Sequence, residues 1–307
     1  MAVSRRLAVL SSLSASFIWG FTFLSIKVAL KAFPPMSLGL ARFAVAGVLL
    51  AGLLAARGRL PHLDRTDAAR MAASGLLGVT AYFFFENNGI LRISASEASL
   101  MTATIPVFTL LAEATLLAEG TLLAESSFLR ARLSAARAVG AALSVAGIGL
   151  VVAESFRFSR SPAGYLYMLL AAFAWVGYGF LTRPLASRYD RLEITFWQSV
   201  FGMAGFVPFA LFETVNWEAF GWGVGLNVLF LGIFGSALAT VFYVTGLEVL
   251  GPGIVNVHIN LIPVVSVAAS FALLGERLSP LQLAGGAVVV GGVYLATGIS
   301  TRRTSSG

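Results

Sequence analysis

Apolar residues along the chain are gathered in long runs that are separated by short polar segments. Ten such runs can be followed, at roughly 8–30, 36–56, 69–91, 95–117, 135–153, 163–186, 192–213, 222–246, 252–274 and 280–299. A helix that crosses a bilayer needs about 20 apolar residues, whereas a transmembrane strand needs about ten residues of alternating polarity. The pattern therefore predicts an all-α polytopic membrane protein with ten transmembrane helices.

The composition of the 307 residues excludes a water-soluble globule. Hydrophobic residues make up 58% of the chain and charged residues 11%, and the mean hydropathy is +0.87. So little polar surface cannot cover a soluble domain of this size. The longest polar segments, 57–70 and 155–162, are too short to fold alone, so the function must be carried out among the helices. The absence of cysteine excludes disulfides, thiol catalysis and thiolate metal sites.

An even number of spans places both termini on one side of the membrane, and the basic residues indicate which side. With a cytoplasmic N-terminus, 14 of the 21 lysines and arginines fall in inside segments, six fall in outside segments, and Arg42 lies within a helix. Cytoplasmic loops are enriched in basic residues, so we expect both termini in the cytoplasm. The first run is longer than the apolar core of a secretory signal, and we interpret it as a retained span.

The segment 83–119 returns in altered form 157 positions later. Matching pairs, at an offset of 157 or 156, are Phe85 with Phe242, Gly89 with Gly246, Pro106 with Pro263 and Trp19 with Trp175. Each copy lies in a half-chain with five crossings, so the halves 1–154 and 160–300 are predicted to be inverted five-helix repeats, as in many secondary transporters. Beyond that segment the offset between matching residues of the two halves falls from 157 to 145, so the first half contains 12 residues that the second half lacks. We expect these residues to form a helical extension near 119–130.

Pro106 and Pro263 each lie about eleven residues into a predicted span. A proline inside a helix removes one backbone hydrogen bond and clashes with the carbonyl four residues earlier, so we expect both helices to kink near the middle of the membrane. A static kink filled by packing is one interpretation. The matching positions favour two hinges, with the third and fourth helices gating the outside and the eighth and ninth gating the inside.

Aromatic residues lie deep in the predicted spans, away from the headgroup level where membrane tryptophans are enriched. Trp19 and Trp175 occupy equivalent positions in the two halves, and further aromatic residues in the spans are Tyr82, Phe85, Tyr178, Phe242 and Tyr243. Plain core packing explains any one of them. Together they predict a pocket whose rings would stack on a planar or apolar ligand.

Polar residues accompany both prolines. Asn256, Asn260 and Pro263 share one helix face, and Ser99, Thr102 and Pro106 form the equivalent face in the first half. His258 points away from both asparagines and is expected to face another helix. Hydrogen bonds between helices would explain these residues without a ligand; the alternative is that the two faces hold the polar end of a substrate.

Arg42 and Glu86 are the ionisable residues placed deepest in the predicted spans, at similar depth below the outer surface. Charges within a membrane are costly and are functional candidates by default. The leading interpretation is a salt bridge at the outer gate. Direct contact with the amino or carboxylate group of a substrate is the second, and transfer of a coupling proton by Glu86 is the third.

Several short motifs resemble those of a known family. They are Phe17-Ile18-Trp19-Gly20, Ala41-Arg42-Phe43, the Pro106 segment, and the stretch Gly251–Tyr294 with Pro263, Leu274-Gly275-Glu276-Arg277-Leu278-Ser279 and Gly285-Gly286. They resemble the EamA repeats of the drug/metabolite transporter superfamily, over nearly the whole chain. The resemblance implies ten helices in two inverted repeats, a bacterial inner membrane, and export of amphipathic metabolites. Within the superfamily the chain is most similar to aromatic amino-acid exporters of the YddG type.

A secondary transporter that exports aromatic or hydrophobic amino acids by alternating access is therefore the predicted function. The alternatives are a transporter of another cargo, such as a drug or nucleotide sugar, and a membrane scaffold. No sequence motif for an enzyme, a phosphate loop or a channel filter is present. We expect a small-molecule substrate and the lipid bilayer as partners, with no cofactor, metal or nucleic acid, and a monomer is compatible with these patterns.

Overall fold

The computed structural model describes residues 3–58, 61–118, 139–140, 142–143, 146–147, 150 and 161–298. In these ranges every regular element is helical, which confirms the predicted all-α fold class. The expected extension near 119–130 and most of the predicted span 135–153 lie outside the described residues.

The helices follow the apolar runs closely, with breaks that the runs did not reveal. Their bounds are α1 Arg5–Ala29, α2 Pro35–Ala56, α3 Arg65–Arg92, α4 Ala95–Thr102, α5 Ile105–Ala118, α6 Pro162–Ala186, α7 Arg191–Ala210, α8 Trp222–His258, α9 Leu261–Leu274 and α10 Pro280–Gly298. Within α8 the helical geometry is interrupted at Gly251, whose φ of 76° and ψ of 167° turn the chain at the boundary between two predicted spans.

Six helical segments in the described residues are long and apolar enough to cross a membrane: α1, α2, α3, Ala95–Glu113, α6 and α8. The segments Leu261–Leu274 and Pro280–Gly292 are shorter apolar helices. A protein with this many long apolar helices is a multi-pass membrane protein, as predicted. The count of ten spans and the side of the termini remain predictions.

Local sequence explains where several helices begin. The Ser4 hydroxyl accepts a hydrogen bond from the Leu7 amide at the start of α1, and Ser94 with Glu97 forms a capping box at the start of α4. Asp190 and Glu193 form the same box at α7. These side chains satisfy amides that have no partner within the helix, so each helix begins at a defined residue next to a short loop.

Both halves contain a π-helical segment in the corresponding helix. Leu76–Ala81 interrupts α3 and Leu231–Leu238 interrupts α8. Such segments are rare and are frequent at functional sites. Gly78 and Gly235, which are 157 positions apart, lie in these segments, and a Cβ atom at Gly78 would overlap the ring of Tyr178. The π-helical segments thus allow close approach of another helix in the middle of α3 and α8.

The prolines sit differently from the prediction. Helix α4 ends at Thr102 before α5 starts at Ile105, so Pro106 lies in the first turn of a new helix instead of the interior of a continuous one. Pro263 likewise lies in the first turn of α9. The physical reason is that the first-turn amides have no partner within the helix, so a residue without an N–H group is accommodated there at no loss.

The two halves are interleaved in the core. Helix α1 packs against α8 and α9, α2 packs against α7, and α3 packs against α6 and α7. A single large cluster of buried side chains therefore contains residues of both halves. A cavity within this core is necessarily shared between the halves.

Candidate functional site

A cavity lies in the core where helices of both halves meet. Its lining residues on the first half are Trp19, Thr22, Phe23, Arg42, Phe43, Gly78, Val79, Tyr82, Phe83, Glu86, Thr102 and Ile105, and those on the second half are Trp175, Tyr178, Thr195, Gln198, Ser199, Thr240, Ile259 and Ile262. The non-atom space between these side chains, counted together with adjoining solvent, is about 620 Å³. The lining is mostly apolar with a few polar groups, which is typical of small-molecule sites.

Trp175 is the centre of a group of aromatic rings beside the cavity. Its ring centroid is 5.2 Å from that of Trp19 in an edge-on arrangement, and 4.9, 5.1 and 4.9 Å from those of Tyr82, Tyr178 and Tyr243. We call these five residues the aromatic cluster. Offset and edge-on ring contacts at these distances are favourable, so the cluster forms a rigid apolar wall built from both halves.

Hydrogen bonds hold the polar ends of the cluster in place. The Trp19 indole N–H donates to the Gly235 carbonyl at 2.9 Å, and the Tyr82 hydroxyl donates to Glu86 Oε1 at 2.7 Å. The Tyr178 hydroxyl donates to Gln198 Oε1 at 3.1 Å. Because buried polar groups without a partner are costly, these bonds fix the orientation of the three rings of Trp19, Tyr82 and Tyr178, which line the cavity.

Arg42 is completely buried on α2 and lines the cavity. Its Nε donates to the hydroxyl of Ser236 on α8 at 2.8 Å, and its guanidinium carbon lies 4.3 Å from the ring centroid of Phe83. Contact with an aromatic face stabilises a cation. One of its terminal nitrogens, Nη1, is buried and has no hydrogen-bond partner, so the guanidinium is oriented but only partly satisfied.

Glu86 is buried on α3 and also lines the cavity. Its Oε1 accepts the hydrogen bond from Tyr82, and its Oε2 is buried without a partner. The predicted direct salt bridge with Arg42 is absent: no ion pair within 4.0 Å joins these two described side chains. The reason is that Ser236 and Phe83 orient the guanidinium while Tyr82 on its own helix holds the carboxylate, so both charged groups remain at the cavity.

The residues of the two predicted polar faces beside the prolines have different environments in the structure. Thr102 lines the cavity, although its hydroxyl donates to the Ser99 carbonyl at 2.6 Å. Ser99 donates to the Ser96 carbonyl and lies outside the lining. Asn260 is also outside the lining, with an Oδ1 that has no partner. Of the two faces, only Thr102 therefore reaches the candidate site.

Asn256 and His258 instead connect helices. The Asn256 amide donates to the Thr109 hydroxyl at 2.9 Å and accepts from the Tyr243 hydroxyl at 3.0 Å. His258 Nδ1 lies 2.6 Å from the Ser12 hydroxyl on α1, so it faces another helix as expected. Both residues have protein partners that explain their burial, which is the interhelical alternative raised from the sequence.

Two of the predicted aromatic residues lie away from the cavity. Phe85 is half-buried and its ring centroid is 5.3 Å from Phe84 and 6.3 Å from Tyr167. Phe242 is half-buried against the core. Tyr243 is not in the lining itself but belongs to the aromatic cluster behind Trp19 and Trp175. Depth in a span could not separate these cases, because adjacent residues on a helix point in different directions.

Sequence reasoning missed several polar residues of the site, among them Ser236 and Gln198. The Gln198 amide nitrogen donates to the hydroxyls of Ser74 and Thr182, both at 2.9 Å, and its oxygen accepts from Tyr178. A signal was available, because Gln198 lies 156 positions after Arg42, the same offset that relates Trp19 to Trp175. Extending the repeat to α2 and α7 would have found it.

Polar contacts also connect the halves at both ends of the bundle. Near one end, Arg188 forms an ion pair of 2.7 Å with the buried Asp67, and the Tyr189 hydroxyl donates to Asp67 at 2.9 Å. Desolvation raises the pKa of Tyr189, so this hydroxyl keeps its proton at neutral pH. Near the other end, the Glu213 carboxylate accepts from the Ser37 amide and Glu276 accepts from the Ser96 amide.

The described residues do not form a metal site. In the part of the chain that the structure describes, no three histidine, aspartate or glutamate side chains are grouped to hold a metal ion. Among the described residues that line the cavity, Arg42 and Glu86 are the charged ones. The site is therefore suited to binding a small molecule through aromatic faces and two charged hydrogen-bonding groups.

Comparison with known proteins identifies a family. The model of the EamA-like transporter family matches residues 6–153 and 162–298. A probable terminal-alkyne amino-acid exporter of Streptantibioticus cattleyicolor is 29% identical over 90% of this chain and 89% of its own length. An uncharacterized transporter of Archaeoglobus fulgidus is 27% identical over 94% of this chain and 97% of its own.

Two further similarities extend over the same length. The uncharacterized inner membrane transporter YedA of Escherichia coli (strain K12) is 25% identical over 91% of this chain and 87% of its own. A solved crystal structure is 24% identical and superposes with a TM-score of 0.72, covering 99% of this chain and 100% of that one. At that identity the similarity shows the shared fold alone.

Proposed function

Because this chain belongs to the EamA-like transporter family, we propose that it is a secondary transporter that exports amino acids with aromatic or hydrophobic side chains across a bacterial inner membrane. The observation that carries the proposal is the aromatic cluster beside a cavity shared by both halves. A stacked or apolar side chain fits such a wall. The name of the Streptantibioticus relative, an amino-acid exporter, supports the cargo class.

The proposed topology has ten spans, with halves 1–154 and 160–300 inverted and both termini in the cytoplasm. Three repeated features support it: π-helical segments in α3 and α8, Gly78 and Gly235 within them, and a helix break just before Pro106 and Pro263. Substrate sites of inverted-repeat transporters lie near the midplane at interrupted helices. The cavity likewise lies beside interrupted helices, those of α4, α5 and α9.

Alternating access would be produced by movement at the two helix breaks. In the proposed cycle, α3 with α4 and α5 opens the outer side, while α8 with α9 opens the inner side. Opening either side requires separating contacts between the halves, such as those of Glu213 and Glu276 at one end and the Asp67–Arg188 pair at the other. The activity is translocation and not catalysis.

The test is counterflow of labelled phenylalanine into liposomes that contain the purified protein and unlabelled phenylalanine. The wild type should accumulate label above protein-free liposomes, and Trp175→Ala should lower the rate at least about tenfold, because one buried aromatic contact is worth about 1.5–3 kcal/mol. Trp222→Ala is the matched control, since Trp222 is 89% exposed and is not among the residues that line the cavity.

A wild-type protein that exchanges no amino acid but exchanges a nucleotide sugar or a drug would contradict the cargo assignment. Equal loss in Trp175→Ala and Trp222→Ala, with both variants folded, would contradict the role of the aromatic cluster.

A further inference from the structure

Two buried charged groups at the cavity each have one polar atom that no described residue satisfies. They are Arg42 Nη1 and Glu86 Oε2, and their side chains are 1% and 3% exposed. A buried donor or acceptor without a partner costs free energy, more so when the group is charged. Residues with this cost inside a membrane are expected to meet a ligand or another charge.

The surroundings of Arg42 orient it without placing an anion in direct contact with it. Its Nε is bonded to the neutral hydroxyl of Ser236, and the ring of Phe83 covers its face. No carboxylate lies within 4.0 Å of the guanidinium among the described residues. The guanidinium is suited to bind a carboxylate, since it presents several N–H groups in a fixed plane.

Glu86 is the complementary case. Tyr82 occupies Oε1, and Oε2 is buried with no donor among the described residues. The other polar residues of the lining are neutral, and Gln198 already uses its amide oxygen and nitrogen in three hydrogen bonds. A cationic donor from outside the protein would therefore meet a single anionic acceptor in this cavity.

We infer that the cavity binds its substrate as a zwitterion, with the α-carboxylate on Arg42 and the α-ammonium on Glu86, while an uncharged side chain lies against the aromatic cluster. The inference rests on the proposed function and deepens it. One anionic and one cationic group of a single small molecule would satisfy both orphan atoms at once. Cavity and ligand would each be neutral in total, which avoids a net charge in a medium of low dielectric constant.

The inference defines a substrate class. Amino acids with neutral, apolar side chains are bound, whereas the corresponding amine lacks the group for Arg42 and the corresponding acid lacks the group for Glu86. Lysine and glutamate are excluded, because the lining contains no third charged residue to pair with their side chains.

The experiment measures binding by calorimetry with the full-length protein in lipid nanodiscs. The three probes are phenylalanine, phenethylamine and 3-phenylpropionate. Wild type should bind phenylalanine at least about tenfold more tightly than either analogue, as one charged hydrogen bond can provide. Arg42→Gln should abolish the preference over phenethylamine, and Glu86→Gln should abolish the preference over 3-phenylpropionate.

Controls distinguish this inference from a structural role of the pair. Arg92→Gln removes an arginine outside the lining and should leave all preferences unchanged. The double variant Arg42→Gln, Glu86→Gln leaves no buried charge at the site, and it should fold and lose both preferences. It therefore provides the test if a single variant does not fold.

Equal binding of the three probes by wild type, or an equal loss for all three probes in folded variants, would overturn the inference while leaving amino-acid transport intact. Failure of wild type to bind or exchange any amino acid would instead overturn the proposed function itself.

Discussion

Equivalent positions of the two halves, in or beside the cavity, have different chemistry. Arg42 and Glu86 in the first half correspond to Gln198 and Tyr243 in the second, at offsets of 156 and 157. The first pair is charged, and each member has an unsatisfied atom. In the second pair, Gln198 makes three hydrogen bonds and Tyr243 donates to Asn256. The repeat thus supplies the geometry, whereas residues specific to one half supply the polar site.

A second difference concerns the contacts that join the helices at the breaks. Asn256 on α8 reaches Thr109 on α5. The equivalent positions, each 157 apart, are Ser99 on α4 and Ser266 on α9. Ser99 donates to a carbonyl of its own helix, and the Ser266 hydroxyl has no partner among the described residues. Under the proposed topology, the inner side is bridged here and the outer side is not.

The largest expected effect comes from copying the charge of the first half into the second. Gln198→Arg would place a cation among Ser74, Thr182 and Tyr178, none of which can balance it. An uncompensated buried charge costs about 3–5 kcal/mol, so the variant should unfold at markedly lower temperature than wild type in detergent. Gln198→Met, which is neutral and of similar size, is the control. If the two variants melt at the same temperature, the second half tolerates a charge at position 198, and the contrast drawn between the two halves is wrong.

An intermediate effect is expected from the paired glycines. Gly78→Ala would drive a methyl group into the ring of Tyr178, while a Cβ at Gly235 meets the Thr22 methyl at 2.8 Å. Overpacking of this kind costs about 1–3 kcal/mol, and the rigid ring at Gly78 yields less than the threonine side chain does. Thermal melts and phenylalanine binding should both show the greater loss for Gly78→Ala. The reverse order would mean that the second half provides the tighter helix contact.

The smallest effect is expected at the bridge between α8 and α5. Asn256→Ser should make the second half resemble the first, leaving Thr109 and Tyr243 without their partner. The expected loss is about 0.5–1.5 kcal/mol in unfolding free energy, the net contribution of a typical hydrogen bond, measured by denaturant titration. Ser99→Ala, which removes only a bond within a helix, should change it by less. If Asn256→Ser leaves the free energy of unfolding unchanged, the hydrogen bond from Asn256 to Thr109 does not distinguish the two helix breaks. The second difference between the halves would then be wrong.

Sequence patterns were most informative about the helices and least informative about which side chains meet. The apolar runs located α1, α2, α3 and α6 to within a few residues, because lipid requires long helices with internally satisfied backbones. The repeat drew attention to Trp19 and Trp175, whose rings are in contact. Equal depth of Arg42 and Glu86 suggested a salt bridge, but depth alone says nothing of the direction in which a side chain points.

The sequence by itself determined that the chain is a helical membrane protein and predicted two related halves, since length, apolarity and repetition are properties of the linear order of residues. Only the tertiary structure decided that Asn256 bridges helices while Gln198 lines the cavity, and that Arg42 bonds Ser236, 194 positions away, instead of Glu86. The physical reason is that the partner of a buried polar group depends on the rotation of its helix and on packing between distant segments. Neither can be inferred from the local pattern of apolar and polar residues.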